Sequence, residues 1–164
     1  MIVLGCDVGK ATGICLLDMS AARPRYIASL AVEHDLARVL DARFSEHTIA
    51  AVGIETPTQV FEHGRARKSK GARIGIERAL LVATPIVGVV RAVVQLKSTA
   101  TIYEGQAHEC RKAVIGRLPK KSVDAAVKAF VLRTIVGWPA RSNDHERDAA
   151  GVALFAARRH RRPR

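Results

Sequence analysis

Ile2-Val3-Leu4-Gly5-Cys6-Asp7-Val8-Gly9 decides how the rest of the chain is read. A continuous apolar run ends in a carboxylate and a glycine turn, and a second apolar run, Thr12 to Leu17, follows at once. Two such runs around Gly9-Lys10-Ala11 predict a hairpin. Tyr26 to Val32, after the turn at Arg23-Pro24-Arg25, predicts a third strand and an opening antiparallel meander. Asp35 to Phe44 has helical spacing, with Leu36, Val39, Leu40 and Phe44 on one face. Ile49 to Ile54 then reads as a fourth strand ending in Glu55. Strand, helix, strand makes a βαβ unit, so this strand is expected parallel to an earlier one.

Beyond Pro57 the chain turns basic, with Arg65, Arg67, Lys68, Lys70 and Arg73. A long helix is expected from about Gly71 to Leu96, with Ile74, Leu81 and Val82 on one face, kinked or split at Pro85 and Gly88. Ala100 to Tyr103 reads as a fifth strand, and Glu104 to Val114 as a helix or turn ending at Gly116. Pro119 suits a first helical position. After it come Val123, Val127, Phe130, Val131, Thr134 and Ile135 as an apolar stripe, with Gly137 as its stop. Asn143 with Glu146 three later resembles a capping box. The last helix is expected from Asp144 to about Arg159, burying Ala149, Val152, Leu154 and Phe155. The whole is α/β: one domain over residues 1–160 and a basic tail over 161–164 that is expected to fray.

The 164 residues are 48% hydrophobic, enough for one substantial core. Lys and Arg number 27 against 15 Asp and Glu, a formal charge of +12, and the pI is ≈ 10.5. That excess points to a polyanion, and nucleic acid suits it better than a membrane surface, because there is no basic amphipathic helix with an aromatic face. No apolar run reaches ~18 residues, so no membrane span is expected. The three cysteines, Cys6, Cys15 and Cys110, form neither a disulfide framework nor a zinc pattern. Met1 leads directly into a strand, and a cytoplasmic location is expected.

Asp7 alone reads as a turn aspartate, and Glu55 alone as an ordinary strand end. Together they gain meaning, because the carboxyl ends of neighbouring parallel strands share the edge where open α/β sheets place their sites. His145 and Asp148 are three residues apart and share a helix face. Asp144 lies near that face too, although a first-turn carboxylate also complements the helix dipole. Small residues after Asp148 would let its helix approach the sheet, where an unpaired carboxylate is costly. Two or three carboxylates and one imidazole suit Mg²⁺ or Mn²⁺ better than zinc. A pair of such ions about 4 Å apart activates water and stabilises a leaving oxygen.

Gly5-Cys6-Asp7-Val8-Gly9 with Thr12-Gly13, then Ile54-Glu55, Gln59-Val60-Phe61, Ala113-Val114-Ile115-Gly116 and His145-x-x-Asp148-Ala149-Ala150 together resemble the RuvC-type Holliday-junction resolvases. The ordered set spans nearly the whole chain. The resemblance implies an RNase H-like fold, with a central mixed five-stranded sheet flanked by helices. It implies a homodimer making paired nicks in four-way DNA junctions with Mg²⁺ or Mn²⁺, two ions per active site. On that resemblance Asp7, Glu55, His145 and Asp148 match the metal positions, with Asp144 the alternative to His145. Arg111, or Lys112 beside it, and Lys121 match basic catalytic-region positions. Phe61 matches an aromatic at the junction centre, although Thr56-Pro57-Thr58 is an insertion relative to the pattern and Phe61 also reads as core. Lys112, Lys120 and the 65–73 stretch are the remaining candidate DNA contacts.

A junction has two-fold symmetry, so an isologous dimer is its natural reader, and the helix from Gly71 is the candidate interface or else plain core. Three other readings remain at this stage. One is an RNase H-like nuclease acting on other branched DNA or on RNA–DNA hybrids. Another is a junction-binding protein without catalysis. The third is an ATP-handling domain of the actin class, for which one small domain is too short.

Overall fold

The computed structural model describes residues 1–56, 70–116 and 123–161. Five strands run β1 (Ile2–Asp7), β2 (Thr12–Asp18), β3 (Arg25–Val32), β4 (Ile49–Thr56) and β5 (Thr101–Gln106). Five helices are α1 (Leu36–Glu46), α2 (Lys70–Lys97), α3 (Ala107–Ile115), α4 (Val123–Thr134) and α5 (Asp144–Arg161). The sheet order is β3-β2-β1-β4-β5. The first three strands form the expected antiparallel meander, and β4 and β5 add in parallel beside β1. The sheet is therefore mixed, with β1 at its centre.

Both faces of the sheet are covered, which is why β1 reads as an unbroken apolar run rather than an alternating one. Successive side chains point to opposite faces. Val3, Cys15 and Leu17 pack on one side with α4 and α5. Leu4, Cys6, Ile14 and Leu16 pack on the other with Leu40 of α1 and Val87, Val90 and Val94 of α2. All three cysteines are buried and free, as small core hydrophobes.

Helix α5 is the hub. Residues 149–157 are buried without a break, so it is wrapped on all sides rather than amphipathic. Its small residues meet a stripe of strand glycines. A Cβ on Gly5 would overlap the carbonyl oxygen of Ala149, one on Gly13 that of His145, and one on Gly53 would come within 2.5 Å of that of Val152. These glycines let α5 lie directly against β1, β2 and β4. The same contact fixes where the first turn of α5 falls relative to the end of β1.

Two expectations are corrected. Helix α2 is not split at Pro85; it is one 28-residue helix. Its buried face is Ala83, Val87, Val90 and Val94, whereas Leu81 and Val82 are exposed, at 76% and 46%. Among the described side chains of α2 the buried stripe faces the sheet under the second half of the helix; the Ile74 side chain lies outside them. The C-terminal helix also runs further than expected, through Arg161, whose guanidinium donates to the carbonyl of Met19. Asn143 caps it: its Oδ1 accepts from the backbone N–H of Glu146 at 2.9 Å, and its Nδ2 donates to the Glu146 carboxylate. Among the described residues no helix is long and apolar enough to cross a membrane.

Candidate active site at the carboxyl edge of β1 and β4

Parallel pairing of β1 with β4 puts Cys6 opposite Ile54, so the following residues, Asp7 and Glu55, lie side by side at the carboxyl ends of the two strands. The contact between α5 and the glycine stripe brings the third and fourth groups. His145 Nδ1 lies 3.2 Å from Asp7 Oδ2, and Asp148 sits one turn on. From α3, Arg111 donates to Asp148 Oδ2 at 3.3 Å and also lies 3.5 Å from Asp124, in the first turn of α4. β1, β4, α3 and α5 thus bring three carboxylates, one imidazole and one guanidinium to one edge, with Asp124 of α4 on the far side of Arg111.

The electrostatics follow from burial and crowding. The Glu55 carboxyl is pushed up to about 7, first by burial and then by the charges of Asp7 and Asp148. Burial also raises Asp7, against the hydrogen bond from His145. Asp148 is raised by burial, with Arg111 pulling it back down. All three carboxyls are raised, with burial the largest cause of each and Arg111 opposing it. Such a set of hard oxygen donors fits a divalent cation. The groups surround the site without yet converging. Among the described residues no three His, Cys, Asp or Glu side chains are close enough together to hold an ion, because Asp7 is turned to His145 and Asp148 to Arg111.

Each expected residue has its own outcome. Asp7, Glu55, His145, Asp148 and Arg111 are brought together. Asp144 is not: its side chain is 83% exposed and pairs with Arg147 in the first turn of α5. Lys112, next to Arg111, is exposed and faces a different cleft, between α3 and α5. Lys70 and Arg73 lie in the first turns of α2. Phe61, Arg65, Arg67, Lys68, Lys120 and Lys121 fall outside the described residues. Sequence reasoning missed Asp124, the second acceptor for Arg111. Its signal was only that of a first-turn carboxylate, which the helix dipole already explains.

The mixed sheet with α5 laid across it, and a carboxylate site at the end of β1 and β4, define an RNase H-like fold. Among solved structures, RuvC of T. thermophilus in complex with a Holliday junction substrate matches with TM-score 0.67 and 19% identity. That match covers 98% of this chain and 95% of the other. A second structure of Thermus thermophilus RuvC matches with TM-score 0.52 and 19% identity, over 98% of this chain and 97% of the other. The fowlpox virus Holliday junction resolvase matches with TM-score 0.50 and 12% identity, over the same shares of the two chains. No family model matches the sequence, and no curated protein matches it. At these identities the likeness establishes the fold, that of the RuvC resolvases, over nearly the whole chain.

Proposed function

We propose that this protein is a metal-dependent, structure-selective DNA endonuclease that resolves four-way junctions by paired, near-symmetric nicks. The observation that carries this reading is the meeting of Asp7, Glu55 and Asp148 at one sheet edge of a RuvC-type fold, in a chain of formal charge +12. Asp7, Glu55 and Asp148, with His145, would hold Mg²⁺ or Mn²⁺, two ions per site; when bound they supply an activated water and charge opposite the leaving oxygen.

The chain's own groups have separable tasks. The Asp7 and Glu55 carboxylates would hold the metal at the sheet edge, since as anions they repel the phosphate unless a cation lies between. Where it is not a ligand, His145, half exposed beside Asp7, is placed to accept or return a proton at its ring nitrogen. Arg111 neutralises Asp148 in the free protein and would offset negative charge on the phosphate during hydrolysis, with Asp124 as its second seat. Lys121 is proposed for the same task. The remaining Lys and Arg residues, including Arg65, Arg67, Lys68, Lys70, Arg73 and Lys120, would neutralise backbone phosphates and give sequence-independent affinity. Phe61 is proposed to stack at the junction centre.

A homodimer is part of the proposal. On α2 the exposed apolar residues Leu81, Val82, Val89 and Leu96 fall within about a 100° arc at 3.6 residues per turn. Such a stripe on a soluble basic protein fits burial against a second copy, which would present two sites to the two-fold axis of a junction. A cytoplasmic role in DNA recombination and repair accords with this chemistry. The test is incubation with an immobile four-way junction and Mg²⁺ or Mn²⁺, with flap, fork and RNA–DNA hybrid substrates alongside. Preferential cutting of flaps or hybrids would move the assignment to another RNase H-like nuclease.

A further inference from the structure

Away from the carboxylates, α3 and the C-terminal half of α5 enclose an open cleft of about 480 Å³ lined by His108, Lys112, Phe155, Arg158 and Arg159, with Glu109 and Ala113. Its charge is strongly one-sided. Among the described residues Lys112, Arg158 and Arg159 make no ion pair with a carboxylate, although all three are exposed. Glu109, the one acid present, accepts from the backbone N–H of Gln106 at 2.9 Å in the capping box that starts α3. The Arg159 guanidinium lies 5.4 Å over the Phe155 ring, which holds it at the rim. Three cations without an acidic partner among the described residues, carried on two helices, make a surface suited to an anion.

The cleft is tied to the active site by the same two helices. Arg111 and Lys112 are adjacent on α3, one turned to Asp148 and the other into the cleft. On α5, Arg158 follows Asp148 by ten residues, about 15 Å at 1.5 Å per residue. That is about four base pairs at 3.4 Å per step along a duplex. We propose that this cleft seats the phosphodiester backbone of a duplex arm about four base pairs from the scissile phosphate. The inference rests on the resolvase reading for the identity of the DNA, and extends it with a contact surface outside the carboxylate site. An isolated phosphate would need only one cation pair; cations spread over two helices and an open cleft suit a run of phosphates.

The test is binding of a labelled four-way junction, without divalent metal, across a salt series by the full chain and by R158Q/R159Q. Both arginines are exposed, so the melting temperature is expected to fall by no more than a few degrees, from loss of the Arg159–Phe155 contact and of two last-turn cations. Loss of two phosphate contacts lowers the slope of log K against log salt by about 1.8 and weakens binding between one and two orders of magnitude at about 0.1 M salt. R158K/R159K restores most of both. An unchanged slope in R158Q/R159Q overturns the cleft assignment. Inorganic phosphate at matched ionic strength is expected to displace DNA no better than chloride; preferential displacement would make the cleft a small-anion site and also overturn the proposal. Wild-type cleavage of the same junction with Mg²⁺ is read separately. Cleavage with an unaltered slope leaves the resolvase reading standing and removes the cleft. An altered slope without cleavage does the reverse.

Discussion

His145 at the start of α5 and Asp7 at the end of β1 are 138 residues apart in sequence, yet His145 Nδ1 lies 3.2 Å from Asp7 Oδ2. The contact exists because Gly13, on the neighbouring strand, lets the backbone of His145 rest against the sheet. Packing and site geometry are therefore one arrangement. Replacing His145 with Ala frees Asp7 from its hydrogen bond and removes a proton-handling group. Cleavage is expected to fall by 10²–10³-fold with junction affinity within a few-fold. Single-turnover rates and anisotropy titrations on the same junction check this.

The glycine stripe predicts a stability effect with a distinct signature. Gly53→Ala would drive a methyl group into the Val152 carbonyl and force α5 away from β4. A loss of about 3 kcal/mol or more is expected, at the upper end of overpacking costs, because backbone rather than a side chain must move. Gly88→Ala, where no atom lies within 4 Å of the added carbon, is the contrast: helix propensity alone makes it neutral to stabilising by about 1 kcal/mol. Urea denaturation of the two variants separates the cases.

Glu55 gives a pH prediction. Its carboxyl is raised from 4.5 to about 7, so the folded chain keeps a proton that the unfolded chain has lost. The stability this contributes is full below about 4.5 and is lost as pH rises through about 7. Without metal, the melting temperature of the wild type is expected to fall relative to that of E55Q by about 5 °C between pH 5 and pH 8. Magnesium or manganese should recover the wild type and leave E55Q behind. Parallel melting curves of the two proteins across that range would contradict the cause assigned to the shift.

Arg111 is the counter-charge of the site in the free protein. R111Q leaves Asp148 beside two other raised acids without its partner. The variant is expected to melt lower without metal and to gain more than the wild type when Mn²⁺ is added, while cleaving about 10²-fold more slowly. R111K should be intermediate, because a point charge cannot bridge Asp148 and Asp124 as a guanidinium can. Differential scanning with and without Mn²⁺ reads the first two effects.

The α2 stripe predicts assembly. Leu81 and Leu96 are 76% and 81% exposed, and L81E/L96E should convert a dimer to a monomer in sedimentation without lowering helix content. A wild-type monomer at micromolar concentration would contradict the dimer.

Much of the arrangement is legible in the sequence, for specific physical reasons. The run Ile2 to Asp7 and the Ile49 to Glu55 strand announce themselves because a strand buried on both faces is continuously apolar. The 145/148 spacing identifies a helix face whatever it packs on. Strand order and the helix α5 contact were not readable to the same depth. Nine consecutive buried residues, 149–157, have no 3.6-residue stripe to detect, and Gly5, Gly13 and Gly53 reveal their purpose only once a helix lies over them. Apolar spacing does not mark the buried face of α2, because Leu81, Val82, Val89 and Leu96 point outward. Arg111 and Lys112 differ by about 100° around α3, and it is Arg111 that reaches Asp148; His145 reaches Asp7, whereas the Arg147 side chain takes Asp144 away from the site.

The most direct test of the central claim is product mapping on an immobile four-way junction with wild type and D7N in Mg²⁺. The account predicts two near-symmetric nicks by the wild type, and by D7N junction binding within a few-fold of wild type with cleavage reduced at least about 10³-fold. Full cleavage by D7N, or no nicking by the wild type in either Mg²⁺ or Mn²⁺, would contradict it.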